Sequence, residues 1–342
     1  MAKIGVIGAG SWGTALAIVL ADNYHTVTVW SIIEEEVNML NASHEHKDKL
    51  PSVKIPESIR FTTDLESAVR DMDMVVLAVP SPYVRSTSRN MAPFVAENQL
   101  IVVVSKGIEE STLMIMTDVV EDEIPQADVA VLSGPSHAEE VGRRLPTTVV
   151  AGAHTKATAE KVQAMFINSR FRVYTSPDML GIELGASLKN VIALAAGMAD
   201  GCGFGDNTKA ALITRGIKEI TSLGLKMGAK SETLNGLSGI GDLIVTCASK
   251  HSRNRKAGML MGQGRTMQEA MDEVQMVVEG VYSAKAAKKL ADKYGLDLPI
   301  VNQVNAVLFD NVSVEQSVTD LMMRDRKSEH EGLCWDDEPK KS

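Results

Sequence analysis

The chain is poor in cysteine: only Cys202, Cys247 and Cys334 are present, widely separated and odd in number. That excludes a disulfide framework and offers no ligand spacing, so free thiols in a reducing cytoplasm are expected. His137 and His251 stand in no carboxylate–histidine spacing either; both read as structural, and no metal is expected. An excess of cations is also missing, since 35 Lys and Arg face 44 Asp and Glu for a net charge of −9. A nucleic-acid-binding face is therefore not expected, and an anionic ligand would need cations placed locally. No apolar run reaches the length of a membrane span, and no basic segment precedes the apolar start of the chain. Neither a membrane span nor a signal peptide is expected. Internal repeats are absent as well.

What is present suits a globular protein of about two domains, with 342 residues, 44% hydrophobic and 23% charged. Near the start, Ile4-Gly-Val-Ile7 has the apolar character of a buried strand. Gly8-Ala-Gly10-Ser11-Trp12-Gly13 follows, and then a helix-like run over 14–21. Strand, glycine turn and helix in that order form the dinucleotide fingerprint. Gly8 permits the turn, Gly10 lets a pyrophosphate approach the backbone, and Gly13 lets the helix pack on the strand. The helix N-terminus offers free N–H groups to the phosphates. Residues 25–30 read as the second strand. Its end meets the adenosine ribose, where an acid selects NAD and a basic residue accommodates a 2′-phosphate. Ser31, Ile32 and Ile33 stand there, with the first acid at Glu34, so neither rule is met. Glu34-Glu35-Glu36 reads as the solvated start of a helix.

Residues 41–58, containing Pro51 and Pro56, read as a loop, and Asp64 is placed to cap a short helix over 65–71. Residues 74–79, 100–104 and 128–132 are near-continuous apolar runs, as in parallel strands buried on both faces. A helix around 83–91 separates the first two, and 147–151 and 171–174 add two more strands. The pattern predicts an α/β fold over residues 1–177, a Rossmann-type, doubly wound, mainly parallel sheet. Residues 178–328 turn to Ala, Leu, Met and Gly at helical spacing, which predicts an all-α domain. Helices are expected over 179–199, 208–227, 253–262, 266–273, 279–294 and 299–310, the first so apolar that it must be buried. Residues 329–342 read as a polar, frayed tail.

Several residues could carry chemistry. Lys189 has Gly185, Ala186, Ile192 and Ala193 as its helical neighbours. Desolvation there would lower its pKa toward a value useful for proton transfer; alternatively it snorkels outward or pairs with Glu183. Lys106 ends a buried strand at the edge where ligands bind in such sheets, or it is a solvated loop lysine. The glycines of Gly236-Leu-Ser-Gly239-Ile-Gly241-Asp242 suggest close backbone approach. Ser252, Arg253 and Asn254 stand at a helix start, where N–H groups, a guanidinium and an amide could cradle a phosphate. An ordinary capped helix with surface cations would look the same.

These motifs, taken with Val104-Ser-Lys106-Gly107, Gly134-Pro-Ser136-His-Ala138, Leu188-Lys-Asn-Val191, Ser252-Arg-Asn-Arg255 and Val278-Glu279-Gly280, resemble one family. The chain is similar to bacterial NAD(P)-dependent sn-glycerol-3-phosphate dehydrogenases from about residue 3 to 329. The resemblance implies reversible hydride transfer between NAD(P)H and dihydroxyacetone phosphate, giving sn-glycerol 3-phosphate for phospholipid synthesis. It implies that Lys189 is the proton carrier, that Asp242 orients it, and that Lys106 meets both nicotinamide and substrate. Gly134, Ser136, Lys189, Ser252, Arg253 and Asn254 would hold the substrate, together with Lys106 and Asp242. Gly8, Gly10, Ser11, Trp12, Gly13, Lys106, Ala138, Arg253, Val277 and Glu279 would line the cofactor. A cytoplasmic homodimer formed through the helical domain is also implied.

Two positions depart from the family pattern. Ser31-Ile32-Ile33 replaces the Arg or His that often follows the second strand, which predicts that NADH is used at least comparably to NADPH. His137 replaces a Phe and reads as a packing variant. Two further readings are a 3-hydroxyacid or ketopantoate-type reductase and a non-catalytic nucleotide sensor. Arg253-Asn254 and the Gly239–Asp242 loop favour a phosphorylated substrate over the first. The second would not need Lys106, Lys189 and Asp242 together.

Overall fold

A computed structural model describes residues 1–326, 328 and 329. The apolar runs of the first half become strands: β1 (Lys3–Ile7), β2 (Thr26–Trp30), β3 (Glu45–His46), β4 (Leu50–Lys54), β5 (Arg60–Thr62), β6 (Met74–Leu77), β7 (Leu100–Val103), β8 (Asp128–Ser133), β9 (Thr147–Ala153) and β10 (Phe171–Ser176). Eight of them form one sheet in the order β10-β9-β8-β7-β6-β1-β2-β5. Every pairing in it is parallel except β8 with β9. The central strands β6 and β7 are buried throughout, because helices cover both faces. One face packs Leu16, Leu20, Val29, Leu132 and Phe166 together. The other gathers Ile7, Val69, Leu77, Val103 and Val119. This is the doubly wound α/β arrangement.

The stretch over 41–58, expected as a loop, instead carries the antiparallel pair β3–β4, and β5 lies just beyond it. Leu50 and Val53 of β4 turn inward and pack beside Gly142, at the end of the helix Ala138–Gly142. The strand was obscured because its other positions, Pro51, Ser52 and Lys54, are exposed and polar or helix-breaking. Helices Met116–Glu123, Lys156–Phe166 and Val314–Met322 also join those expected.

After β10, Asp178 starts the second half by accepting the Gly181 N–H at 3.0 Å. The 23-residue helix Met179–Gly201 that follows is long and apolar enough to cross a membrane, contrary to the expectation that no run reaches that length. Protein buries 89% of its most apolar window, so it is the axis of the helical half. Helices Asp206–Met227, Asp242–Ala248, Arg253–Gly262 and Glu279–Tyr294 pack around it. Cys202 and Cys247 are free thiols, and burial pushes Cys247 up to about 12, which leaves it unreactive. Residues 330–342, with most of the expected tail and Cys334, lie outside the described residues.

Candidate active site

At the carboxyl end of β1, Gly8 turns the chain with a φ of +117°. Gly13 then sits so close to the strand that a Cβ on it would lie 2.0 Å from the Gly8 carbonyl oxygen. Only hydrogen fits, and the helix Ser11–Asp22 is seated directly on the turn. Gly10 faces the other way, with nothing within 4 Å of its would-be Cβ. The helix has no side-chain cap and no acid in its first turn, so its N–H groups are available to an anion. The buried indole N–H of Trp12 has no partner in the protein. An open cradle, uncapped N–H groups and an orphaned donor fit the pyrophosphate of a dinucleotide.

The end of β2 is organised by a carboxylate that no sequence pattern singles out. Glu36 accepts from Ser31 Oγ, from His46 Nε2 at 3.0 Å and from Lys49 Nζ. Burial alone would raise its carboxyl, but the hydrogen bonds from His46, Lys49 and Ser31 outweigh that and bring it to about 2. The nearby Lys49 ammonium is thus held by Glu36, while Ile32 stands 79% exposed.

Across the sheet edge lies a charged cluster. Lys189, midway along the buried helix, is 5% exposed. Its Nζ donates to Asp242 Oδ1 at 2.6 Å and to Thr246 Oγ1 at 2.7 Å. The other oxygen of Asp242 accepts from Lys106 Nζ at 2.7 Å, and Lys106 also donates to the Gly134 carbonyl at 3.1 Å. A single carboxylate therefore bridges two ammonium groups brought from different domains. The bridge depends on a π-helical turn, Leu237–Gly241, which feeds the helix Asp242–Ala248. At its centre a Cβ on Gly239 would fall 1.8 Å from the Leu234 carbonyl oxygen, so no side chain is tolerated. Such turns recur at functional sites because they re-aim a side chain.

Burial lowers Lys189 from the ordinary lysine value to about 8, with Asp242 opposing the shift and the Lys106 ammonium reinforcing it. Burial would raise Asp242, but the charges of Lys106 and Lys189 prevail and hold it below the usual carboxylate range. With Lys189 protonated the cluster carries a surplus positive charge, which resolves the conflict between an anionic ligand and an acidic chain. The structure thus places Lys189 against Asp242, not against Glu183. Glu183 turns away and accepts from the Thr117 N–H at 3.2 Å and from its hydroxyl.

The remaining expected residues surround this cluster in several ways. Gly134 follows β8 with a φ of +148°, and the Ser136 hydroxyl donates to its carbonyl at 2.9 Å. Ser252 caps the helix Arg253–Gly262 by accepting the Arg255 N–H at 3.2 Å. Arg253 is exposed, and among the described residues no carboxylate lies within 4.0 Å of it. Asn254 is tied down: its amide donates to Asn190 Oδ1 at 3.0 Å and accepts the Gly280 N–H at 2.8 Å. Ala138 is buried at the start of its helix, and Val277 is half-buried in the loop before Glu279. Glu279 reaches back across the domains to accept the Ser81 N–H at 3.0 Å, and desolvation raises its carboxyl. The ring of His137 stacks at a tilt on that of His251, with centroids 5.9 Å apart, and its Nε2 is buried without a partner.

Sequence reasoning assigned no role to Thr246, Asn190 or Ser81. Thr246 and Asp242 are four residues apart on one helix, a spacing that places them on one face. Asn190 adjoins Lys189, and Ser81 follows the apolar run that ends at Val79.

Fold and site together define a class, a dinucleotide-dependent oxidoreductase with a helical second domain at the carboxyl edge of its sheet. A family model for the N-terminus of NAD-dependent glycerol-3-phosphate dehydrogenase matches residues 3–159, and one for its C-terminus matches residues 178–319. The NAD(P)+-dependent glycerol-3-phosphate dehydrogenase of Agathobacter rectalis is 67% identical over 335 residues, covering 98% of this chain and 100% of that relative. The corresponding enzyme of Fusobacterium nucleatum is 56% identical over 331 residues, covering 96% and 99%. A crystal structure of glycerol-3-phosphate dehydrogenase from Coxiella burnetii matches with a TM-score of 0.91 at 36% identity, covering 94% of this chain and 99% of that one. The chain belongs to the NAD(P)-dependent glycerol-3-phosphate dehydrogenase family.

Proposed function

We propose that this chain interconverts dihydroxyacetone phosphate and sn-glycerol 3-phosphate, with Lys189 as the proton carrier. The observation that carries the assignment is the Lys189–Asp242–Lys106 bridge. When bound, the reduced nicotinamide supplies the hydride for the carbonyl carbon. As the carbonyl oxygen gains negative charge, Lys189 donates a proton to it and becomes a neutral amine. In the reverse direction the neutral amine takes the hydroxyl proton. A lysine near 8 serves both directions close to neutral pH. Asp242 aims the amine, and Thr246 fixes a second of its hydrogen bonds. Lys106 stabilises the developing oxyanion in a site where little reorganisation is needed.

The phosphate is held by Arg253 and by the N-terminus of its helix, with Ser252, Asn254, Gly134 and Ser136 shaping the pocket. Ser11 and Trp12 receive the pyrophosphate over Gly8, Gly10 and Gly13, while Ala138, Val277, Glu279, Lys106 and Arg253 complete the cofactor wall. With Ile32 and Ile33 where a 2′-phosphate would lie, NADH is used at least comparably to NADPH. The same reading makes residues 1–177 the cofactor domain and 178–328 the substrate domain of a cytoplasmic homodimer serving phospholipid synthesis.

The test mixes the protein with dihydroxyacetone phosphate and either cofactor, and follows the absorbance of the reduced nicotinamide. Turnover with both is expected, and Ile33→Arg should raise kcat/KM for NADPH by about tenfold, an effect that salt weakens. No oxidation of either cofactor overturns the assignment. A strong preference of the unmodified chain for NADPH overturns the cofactor reading alone.

A further inference from the structure

The sheet half and the helical half of the chain meet at a second place beside the lysine cluster, through hydrogen bonds and packing. Ser81 is buried and opens the short helical turn Ser81–Tyr83 after β6. Glu279 begins the helix Glu279–Tyr294 of the helical half. Its Oε1 accepts the Ser81 N–H at 3.0 Å, and its Oε2 accepts the Ser81 hydroxyl at 2.5 Å. Both oxygens of one carboxylate are thus committed to a single residue of the other half.

Each partner in this clasp is braced against one of the two lysines. On the Ser81 side the brace is Gly107, the residue after Lys106. A Cβ on Gly107 would lie 2.3 Å from Ser81 Cβ and 2.5 Å from its Oγ, so the backbone next to Lys106 rests directly on Ser81. The Ser105 hydroxyl fastens the same two loops by donating to the Val79 carbonyl at 2.5 Å. On the Glu279 side the brace is Gly280. A Cβ there would lie 2.6 Å from the carbonyl oxygen of Asn190, the residue after Lys189. The Gly280 N–H also donates to Asn254 Oδ1 at 2.8 Å. A continuous line of contact therefore runs from Lys106 through Gly107, Ser81, Glu279 and Gly280 to the helix that carries Lys189.

We propose that Ser81 and Glu279 are positioning residues, whose paired hydrogen bonds hold the Lys106 ammonium in register with Lys189 across the two halves. This role rests on the reading of Lys106 and Lys189 given above. Asp242 draws the two ammonium groups together by charge, and that attraction constrains direction little. Two hydrogen bonds to one carboxylate, set against a packed glycine, fix the backbone from which Lys106 extends. A displacement of about 1 Å can cost on the order of 10²-fold in rate, and losing one of the two bonds should cost part of that.

The experiment compares Ser81→Ala with the unmodified protein, and repeats the comparison with Lys106→Met in both. Loss of the hydroxyl should lower kcat/KM for dihydroxyacetone phosphate by about tenfold, with the cofactor Kd from fluorescence titration unchanged. With Lys106 already removed, the same substitution should cost less than about twofold, because the ammonium it positions is gone. Hydrogen exchange, read by mass spectrometry, should quicken over residues 100–110 and stay the same over residues 253–262. Equal losses with and without Lys106 overturn the proposal, since a merely structural contact is additive. So do full activity in Ser81→Ala and a rise in cofactor Kd that matches the loss. Ser81→Gly replaces the alanine variant should that one fail to fold. Unchanged exchange over residues 100–110 also overturns the clasp, and does so even if the unmodified protein oxidises neither cofactor, a result that by itself removes only the substrate assignment.

Discussion

Two of the carboxylates buried in this molecule behave in opposite ways. Asp242 is 1% exposed and Glu183 is 2% exposed. Burial pushes both toward the neutral acid. Asp242 has two ammonium groups within 2.7 Å and stays ionised, below the usual range. Glu183 has uncharged donors instead, the N–H and hydroxyl of Thr117 among them, and burial carries it up to about 8. Charge partners, not depth, decide which buried acid keeps its charge. In the proposed function, the ionised one sits where substrate and cofactor meet. The neutral one ties the central helix to the helix Met116–Glu123 of the sheet domain, and serves as structure.

That contrast can be tested by removing its parts. Lys189→Met deletes the proposed proton carrier and should lower kcat by about 10³-fold while cofactor binding, measured by fluorescence titration, survives. Near-normal kcat in that variant would remove Lys189 from its role. Asp242→Asn leaves the buried Lys189 and the half-buried Lys106 without their carboxylate. It should cost about 3–5 kcal/mol of stability in denaturant titration and about 10²-fold in kcat. It should also move the pH inflection of turnover below 8, because the charge that opposed desolvation of Lys189 is gone.

Glu183→Gln should do the reverse for stability. The unfolded chain releases this proton near 4.5 and the folded chain only near 8, so the unmodified protein loses stability as pH rises between those values. The amide should flatten that decline and stabilise the protein at pH 8 by a few kcal/mol, since each pH unit between the two values is worth on the order of 1.4 kcal/mol. Activity should be unchanged. A variant destabilised at pH 8 would mean that Glu183 is ionised and paired after all. Thr246→Val removes one hydrogen bond from Lys189 and leaves its carboxylate, so a loss of only about tenfold in kcat is expected.

The contrast also explains what could be read from the residues. Strands buried on both faces announce themselves as unbroken apolar runs, so β6, β7 and β8 were legible, whereas β4 buries only Leu50 and Val53 and was not. Lys189 stood out because a lysine among glycine, alanine and isoleucine has no bland surface face. Its partner did not. Glu183 looks available by sequence, but six residues along a helix set two side chains about 120° apart around its axis, and they diverge. Asp242 arrives through a π-helical turn whose geometry no periodicity reveals, and Lys106 arrives from the other domain. Glu36 and its hold on Lys49 were hidden for the same reason, since three acids in a row at a helix start resemble a solvated end.

The most direct test of the central claim is the pH dependence of kcat in both directions. If Lys189 carries the proton as proposed, its ammonium form is needed to reduce the ketone and its amine to oxidise the alcohol. The two profiles should therefore mirror each other about an inflection near pH 8, reduction falling and oxidation rising as pH increases. Profiles of the same shape in both directions, or an inflection at the ordinary lysine value, would contradict the assignment of the proton to Lys189.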